Sequence, residues 1–207
     1  MIRTDHPLST GDPLVAAGHL LGSRLRAGDG EFRIVEVEAY GGPPGSPFPD
    51  PASHGFGGPT PRNRVMFGRA GHLYVYRSYG IHLCANVTYG PVGQCGGVLL
   101  RAAEVTAGHD EVADRRPGVP GARRARGPGN LGAAVGVTLA DNGTDLLDRN
   151  AHLRLDLTGS DEAVAEGPRV GVSRASRRPW RLWLPSSPAV SAYKRSPRAV
   201  DEGDEDW

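Results

Sequence analysis

Between Phe32 and Tyr40 the chain runs through β-branched, aromatic and aliphatic residues, and directly behind them the stretch from Gly41 to Pro61 is crowded with glycine and proline. The first segment is built for a strand, in which alternation puts Phe32, Ile34, Glu36, Glu38 and Tyr40 on one face. The second cannot sustain regular structure and reads as a long loop, a feature that is usually functional or mobile. Glu38 and Tyr40 therefore point the same way, at the edge of this loop. A carboxylate on a half-buried strand is costly unless it is paired or used.

Other segments repeat the strand pattern. His72 to Arg77 and Ile81 to Tyr89 read as two strands joined around Tyr79-Gly80, with His82, Cys84, Asn86 and Thr88 opposite Ile81, Leu83, Ala85 and Val87. Gly97 to Ala103 is a further strand, with Leu99, Arg101 and Ala103 opposite Val98, Leu100 and Ala102. His152 to Leu157, Arg169 to Val172 and Trp180 to Leu184 are short and β-like. A helix is expected from Pro13 to Leu21, capped by Asp12, ended by Gly22, and facing the core through Leu14, Ala17 and Leu21. Helices also fit Asp110 to Arg116 and Leu131 to Val135. With 207 residues the chain suits one compact α+β domain over residues 1–200: a mixed, mainly antiparallel curved sheet surrounded by short helices. The acidic end, 201–207, reads as a disordered solubilising tail or a phosphate mimic that shields a basic face.

Composition narrows the function classes. No stretch approaches the roughly 20 apolar residues of a membrane-spanning helix. Met1 to Pro13 lacks the layout of a secretory signal, so a cytoplasmic protein without membrane partners is expected. Cys84 and Cys95 cannot by themselves build a disulfide framework or a four-thiolate metal site, and read as packed thiols. His72 reads as structural, and no metal or cofactor is expected. The formal charge is +1, but without the tail the balance is +6. Arginines crowd two acid-free stretches, Arg115 to Ala140 and Arg169 to Val200. These fit either a phosphate-binding face or a solvated surface in an arginine-rich chain, and charge alone does not choose.

Glu38, Asn86 and Arg101 each interrupt an otherwise apolar strand. A structural ion pair between Glu38 and Arg101 would account for two of them. The alternative comes from their company: Tyr40, His54, Tyr74, Tyr76 and Tyr79 gather along the same segments, although aromatic residues make up only 6% of the chain. A carboxylate among aromatic faces can activate water next to a flat, stacked ligand.

The run Arg33-Ile34-Val35-Glu36-Val37-Glu38-Ala39-Tyr40, followed by Ala52-Ser53-His54, Thr60-Pro61-Arg62-Asn63, Val65-Met66-Phe67, Gly71-His72-Leu73-Tyr74-Val75-Tyr76, Tyr79-Gly80, Cys84-Ala85-Asn86-Val87 and Val98-Leu99-Leu100-Arg101-Ala102, closely resembles the alkyladenine (3-methyladenine) DNA glycosylase family of mammalian type. The resemblance continues through Gly127-Pro128-Gly129-Asn130-Leu131 and Arg169-Val170-Gly171-Val172, and spans about 14–191. It implies a base excision repair enzyme, acting as a monomer on double-stranded DNA, that flips out a damaged purine and hydrolyses its N-glycosidic bond. The substrates implied are alkylated or deaminated purines of the 3-methyladenine, 7-methylguanine, hypoxanthine and ethenoadenine class.

Residue by residue, Glu38 resembles the general base, with Arg101 and the Val170 carbonyl as further water-positioning groups. Tyr40, His54 and Tyr76 resemble the walls that stack against and hydrogen-bond the flipped base. Asn86 resembles the gate against normal guanine, and Tyr79 the wedge that fills the vacated space. Thr60, Arg62, Met66, His82 and Asn130 fall at positions matched to DNA contacts. The chain departs from the family in its longer, proline-rich interval between Tyr40 and His54, which reads as a pocket reshaped for bulkier adducts or as a surface elaboration. Asn130 stands where many relatives carry a phosphate-contacting lysine, and His82 where they often carry an aromatic residue. Lys194 is the only lysine and lies far along the chain from these motifs, so a monofunctional enzyme using water rather than an amine is expected. Two other readings are a lesion-binding protein without hydrolysis, and a relative acting on RNA or a free nucleoside.

Overall fold

A computed structural model describes residues 6–200; the acidic tail lies outside them. Its centre is β2 (Gly30–Tyr40), which pairs antiparallel with β5 (Gly97–Ala107) on one side. On the other side its first half pairs with β1 (Arg24–Ala27) and its second half with β8 (Arg181–Trp183). The sheet has eight strands, and its main path is β3-β4-β5-β2-β1-β6, with β3 spanning Leu73–Ser78, β4 His82–Thr88 and β6 Leu153–Asp156. The short β7 (Ala165–Gly167) extends it beyond β8. All of these pairings are antiparallel, and the sheet curls into a half-barrel with few, short helices around it.

β2 is buried along both faces, because Phe32, Ile34, Val35, Val37 and Ala39 all belong to the main core. Register shifts against β5 between Ile34 and Val37 bend the strand. Glu36 and Glu38 nevertheless share a face, since both reach the same guanidinium of Arg101.

The expected helix is α1 (Pro13–Leu20), where the Asp12 carboxylate accepts hydrogen bonds from the N–H groups of Leu14 at 2.8 Å and Val15 at 3.1 Å. Ala17 and Leu21 are buried as expected, while Leu14 is only partly buried and Ala16 and Leu20 do more of the packing. α2 covers His109–Arg115 and α3 Pro128–Val135. At Gly132 the helix α3 comes so close to β4 that a Cβ would overlap the Leu83 carbonyl, so only glycine permits this packing.

The strands also differ from the sequence reading. β1 and β7 were not foreseen, and β5 continues past Ala103 to Ala107. Arg169 to Val172 is irregular rather than a strand, because its polar groups are committed elsewhere: the Val170 N–H goes to a carboxylate and Gly171 adopts φ 72°.

Candidate active site

β2, β5, β8 and the irregular segment after β7 converge on two buried carboxylates. Glu38 has no solvent-exposed surface. Its Oε1 accepts the Val170 N–H at 2.6 Å, and its Oε2 accepts the Tyr40 hydroxyl at 2.9 Å and an Arg101 guanidinium nitrogen at 3.1 Å. A carboxylate offers about four acceptor positions, so one remains.

Glu36, which was given no role from sequence, is the second anchor of Arg101: its Oε1 accepts from Arg101 Nε at 2.8 Å, Arg181 Nε at 2.7 Å and the Ser191 hydroxyl at 2.8 Å, while its Oε2 accepts the Ser191 N–H at 2.7 Å. Burial alone would push the Glu36 carboxyl up, but Arg101, the Ser191 N–H and Arg181 together hold it below the usual range. The expected Glu38–Arg101 ion pair thus exists, and does not exclude a chemical role. Arg101 faces both acids, whose charges outweigh the effect of burial and raise its pKa.

In front of Glu38 stands Tyr40. Burial and the adjacent Glu38 charge push its hydroxyl well above the usual range, so it stays protonated and can donate. Tyr40 forms one wall of a cavity partly open to solvent, with Ala52, His54, Met66, Tyr74, Tyr76 and Asn86 as the other walls. Glu38 is not among the lining residues; it sits one hydrogen bond behind them.

The cavity walls are held rigidly. His54 stands edge-on to Tyr76 with ring centroids 4.6 Å apart, and its Nδ1 lies 3.2 Å from the Tyr74 hydroxyl. Partial burial, then the charge of Arg62, lower the His54 pKa and favour a neutral imidazole. Asn86 donates to the Tyr74 carbonyl at 3.1 Å across the β3–β4 pair, which orients its amide on the cavity wall. The loop bearing His54 is pinned by Asn63: its Nδ2 donates to the carbonyls of His54 and Gly58 at 2.8 and 3.1 Å, and its Oδ1 accepts from the N–H and hydroxyl of Thr60 at 2.6 and 2.9 Å.

The β3–β4 hairpin carries the most exposed large residue of interest. Tyr79 is 91% exposed at its tip and adopts φ 48°, with Gly80 at φ 72°. The Ile81 N–H closes the turn on the Ser78 carbonyl at 3.0 Å. Such turns normally place Asn-Gly at these positions, so a tyrosine there is held against its backbone preference. Ile81, 73% exposed beside it, was not singled out from sequence.

The remaining expected DNA contacts divide. Thr60 and Arg62 are exposed on the loop beside the cavity. His82 is exposed next to the start of α3, where a Cβ at Gly129 would meet its ring. Met66 is only 3% exposed and packs with Tyr74 and Cys95 as a cavity wall. Asn130 has both ends of its amide engaged, accepting from Arg116 at 2.6 Å and donating to the Arg126 carbonyl at 2.7 Å, so it positions Arg116. Val170, expected to offer a carbonyl, directs its N–H at Glu38. Lys194 is nearer than its place in the chain suggested: its carbonyl accepts the Gly171 N–H at 3.0 Å, one residue beyond Val170.

Among the described residues no group of three or more His, Cys, Asp or Glu could hold a metal ion. Burial raises the pKa of both cysteines, that of Cys95 to about 12, which leaves them as packed thiols. No helix among the described residues is long and apolar enough to cross a membrane.

This arrangement of aromatic cavity, recessed carboxylate and exposed hairpin tyrosine lies within residues 8–188, the span that matches the methylpurine-DNA glycosylase family. The chain belongs to that family. Its members are DNA glycosylases, hydrolases of N-glycosyl bonds that act in base excision repair. The chain is 62% identical over 194 residues to a protein of Rhodococcus jostii (strain RHA1), covering 93% of this chain and 86% of that one. It is 60% identical over 191 residues to a protein of Nocardia farcinica, covering 91% and 90%, and 52% identical over 196 residues to one of Mycobacterium tuberculosis (strain ATCC 25177 / H37Ra), covering 94% and 96%. All three bear the provisional name 3-methyladenine DNA glycosylase. These relatives are bacterial, and the match is to the family as a whole, so the mammalian branch expected from sequence is not supported.

Proposed function

We propose that this chain is a monofunctional DNA glycosylase that flips alkylated or deaminated purines out of duplex DNA and releases them by hydrolysis, working as a monomer in the cytoplasm. The observation that carries the reading is the placement of Glu38, which is clamped by Arg101, the Val170 N–H and Tyr40 immediately behind the aromatic cavity. Tyr79 enters the duplex as the base leaves. Tyr40, His54 and Tyr76 receive the base, with Tyr74 and Met66 completing the walls. Asn86, whose amide is tied to the Tyr74 carbonyl, cannot swing aside for the exocyclic amine of guanine.

The remaining acceptor position of Glu38 takes the nucleophilic water. Because Glu38 has no exposed surface in the free chain, that water enters with the nucleotide as Tyr40 adjusts. Glu38 accepts a proton from the water as its oxygen bonds to the sugar C1′. The C1′–N bond breaks with its electron pair leaving on the base, and the carboxylate charge stabilises the cationic sugar in between. Arg101 keeps Glu38 ionised and aimed.

Single-turnover release from duplexes containing hypoxanthine, ethenoadenine or 7-methylguanine tests this reading. Glu38→Gln should bind the lesion duplex as the wild type does and lose release by about 100-fold or more. A Glu38→Gln chain that releases bases at the wild-type rate overturns it. A wild-type chain that binds lesions and releases none makes the protein a lesion-recognition module instead.

A further inference from the structure

A buried ion pair packs against Tyr40, outside the residues that line the cavity, and has no part in the chemistry above. The guanidinium of Arg169 stands over the Tyr40 ring, 4.6 Å from its centroid, and 5.3 Å from that of Trp180. It donates to both oxygens of Asp50, at 2.6 and 2.8 Å, and to the Ala39 carbonyl at 3.0 Å. The side chains of Arg169 and Asp50 are both fully buried. Asp50 in turn accepts the N–H groups of Gly41 at 3.0 Å and Ala52 at 3.1 Å, which closes the proline-rich loop onto the site. A planar fork gripped on two sides cannot leave the ring.

We propose that Arg169, held by Asp50, is a specificity-determining residue that biases the base cavity toward neutral purines and against cationic ones. The inference rests on reading the cavity as the pocket for the flipped base. An aromatic ring attracts cations to its faces, and Arg169 already occupies one face of Tyr40. A base in the cavity can meet only the other face or the edge. The guanidinium draws the ring's π density toward itself, and its positive charge acts across the ring on whatever stacks opposite. Asp50, which accepts from both terminal nitrogens of the guanidinium, offsets this charge in part. Arg62, close enough to lower the His54 pKa, adds positive charge near the cavity.

The test compares release of 7-methylguanine, which carries a formal positive charge, with release of neutral hypoxanthine from the same duplex context, in the wild type and in Arg169→Met. The ratio of the two single-turnover rates should rise about fivefold in favour of the cationic base. Both rates come from one preparation, so any unfolded fraction cancels; a merely structural role for the pair would lower both rates and leave the ratio alone. If Arg169→Met does not fold, the ratio is read on Arg169→Met with Asp50→Leu, which leaves no buried charge unpaired, and the same direction is expected. An unchanged ratio, or one that shifts toward hypoxanthine, overturns the inference. A wild type that releases neither base sinks the proposed function instead.

Discussion

At the scale of single residues, Arg101 is shared between two acids, and its aim at Glu38 depends on Glu36. The sequence showed Glu36 and Glu38 on one strand face and Arg101 as a misplaced charge on another strand, which was enough to expect a Glu38–Arg101 pair. It did not show that Arg181 and Ser191 also close on Glu36, because nothing in the linear order brings the end of the chain to the middle of β2. Replacing Glu36 by alanine leaves Arg181 without its carboxylate and Arg101 with Glu38 alone, and should cost about 3–5 kcal/mol in urea unfolding. Glu36→Gln keeps one acceptor oxygen and should cost less. Because the folded state holds the Glu36 carboxyl below its ordinary value of 4.5, its contribution is complete above that pH and is lost as pH falls through the lowered value. The stability gap between wild type and Glu36→Gln should therefore narrow as the medium is acidified from about pH 5 to pH 3. A gap that stays constant over this window would mean that Glu36 is not held ionised by its partners.

At the scale of elements, the β3–β4 hairpin was legible almost to the residue, because its apolar alternation is clean and Tyr79-Gly80 marks the turn. β1 and β7 were not, since strands this short pair only because β2 and β8 present their edges. Arg169 to Val172 alternates like a strand, yet its backbone serves Glu38, a functional demand that no propensity records. The long loop was recognised, but not the reason it is ordered: Asp50 looks like a turn residue in sequence and is fully buried against Arg169. The hairpin tip offers a test at this scale. Tyr79→Gly removes a side chain from a left-handed backbone position and should stabilise the fold by about 1 kcal/mol, read as a shift in the urea midpoint. The same variant should lose excision by about tenfold or more, since glycine has nothing to stack in the duplex. A variant that is neither more stable nor slower would show that the tyrosine carries no stored strain and no wedge.

At the scale of the whole molecule, the acid-free arginine stretches divide between inside and outside. Arg169 and Arg181 turn inward to Asp50 and Glu36, while Arg174, Arg177, Arg195 and Arg198 stay exposed. A charge run in sequence therefore does not by itself mark a phosphate-binding face, because it says nothing of partners that the fold brings from elsewhere. The curled sheet sets Tyr79, the cavity and Glu38 along three neighbouring antiparallel pairings, β3–β4, β4–β5 and β5–β2. A crystal structure of the chain bound to a duplex carrying a non-hydrolysable purine nucleotide tests the role of Glu38 most directly. The expected result is Tyr79 in the gap left by the flipped nucleotide, the base against Tyr40, and a water within about 3 Å of Glu38 facing C1′. A nucleotide seated in the cavity while Glu38 keeps its three partners, with no water between it and the sugar, would contradict the account.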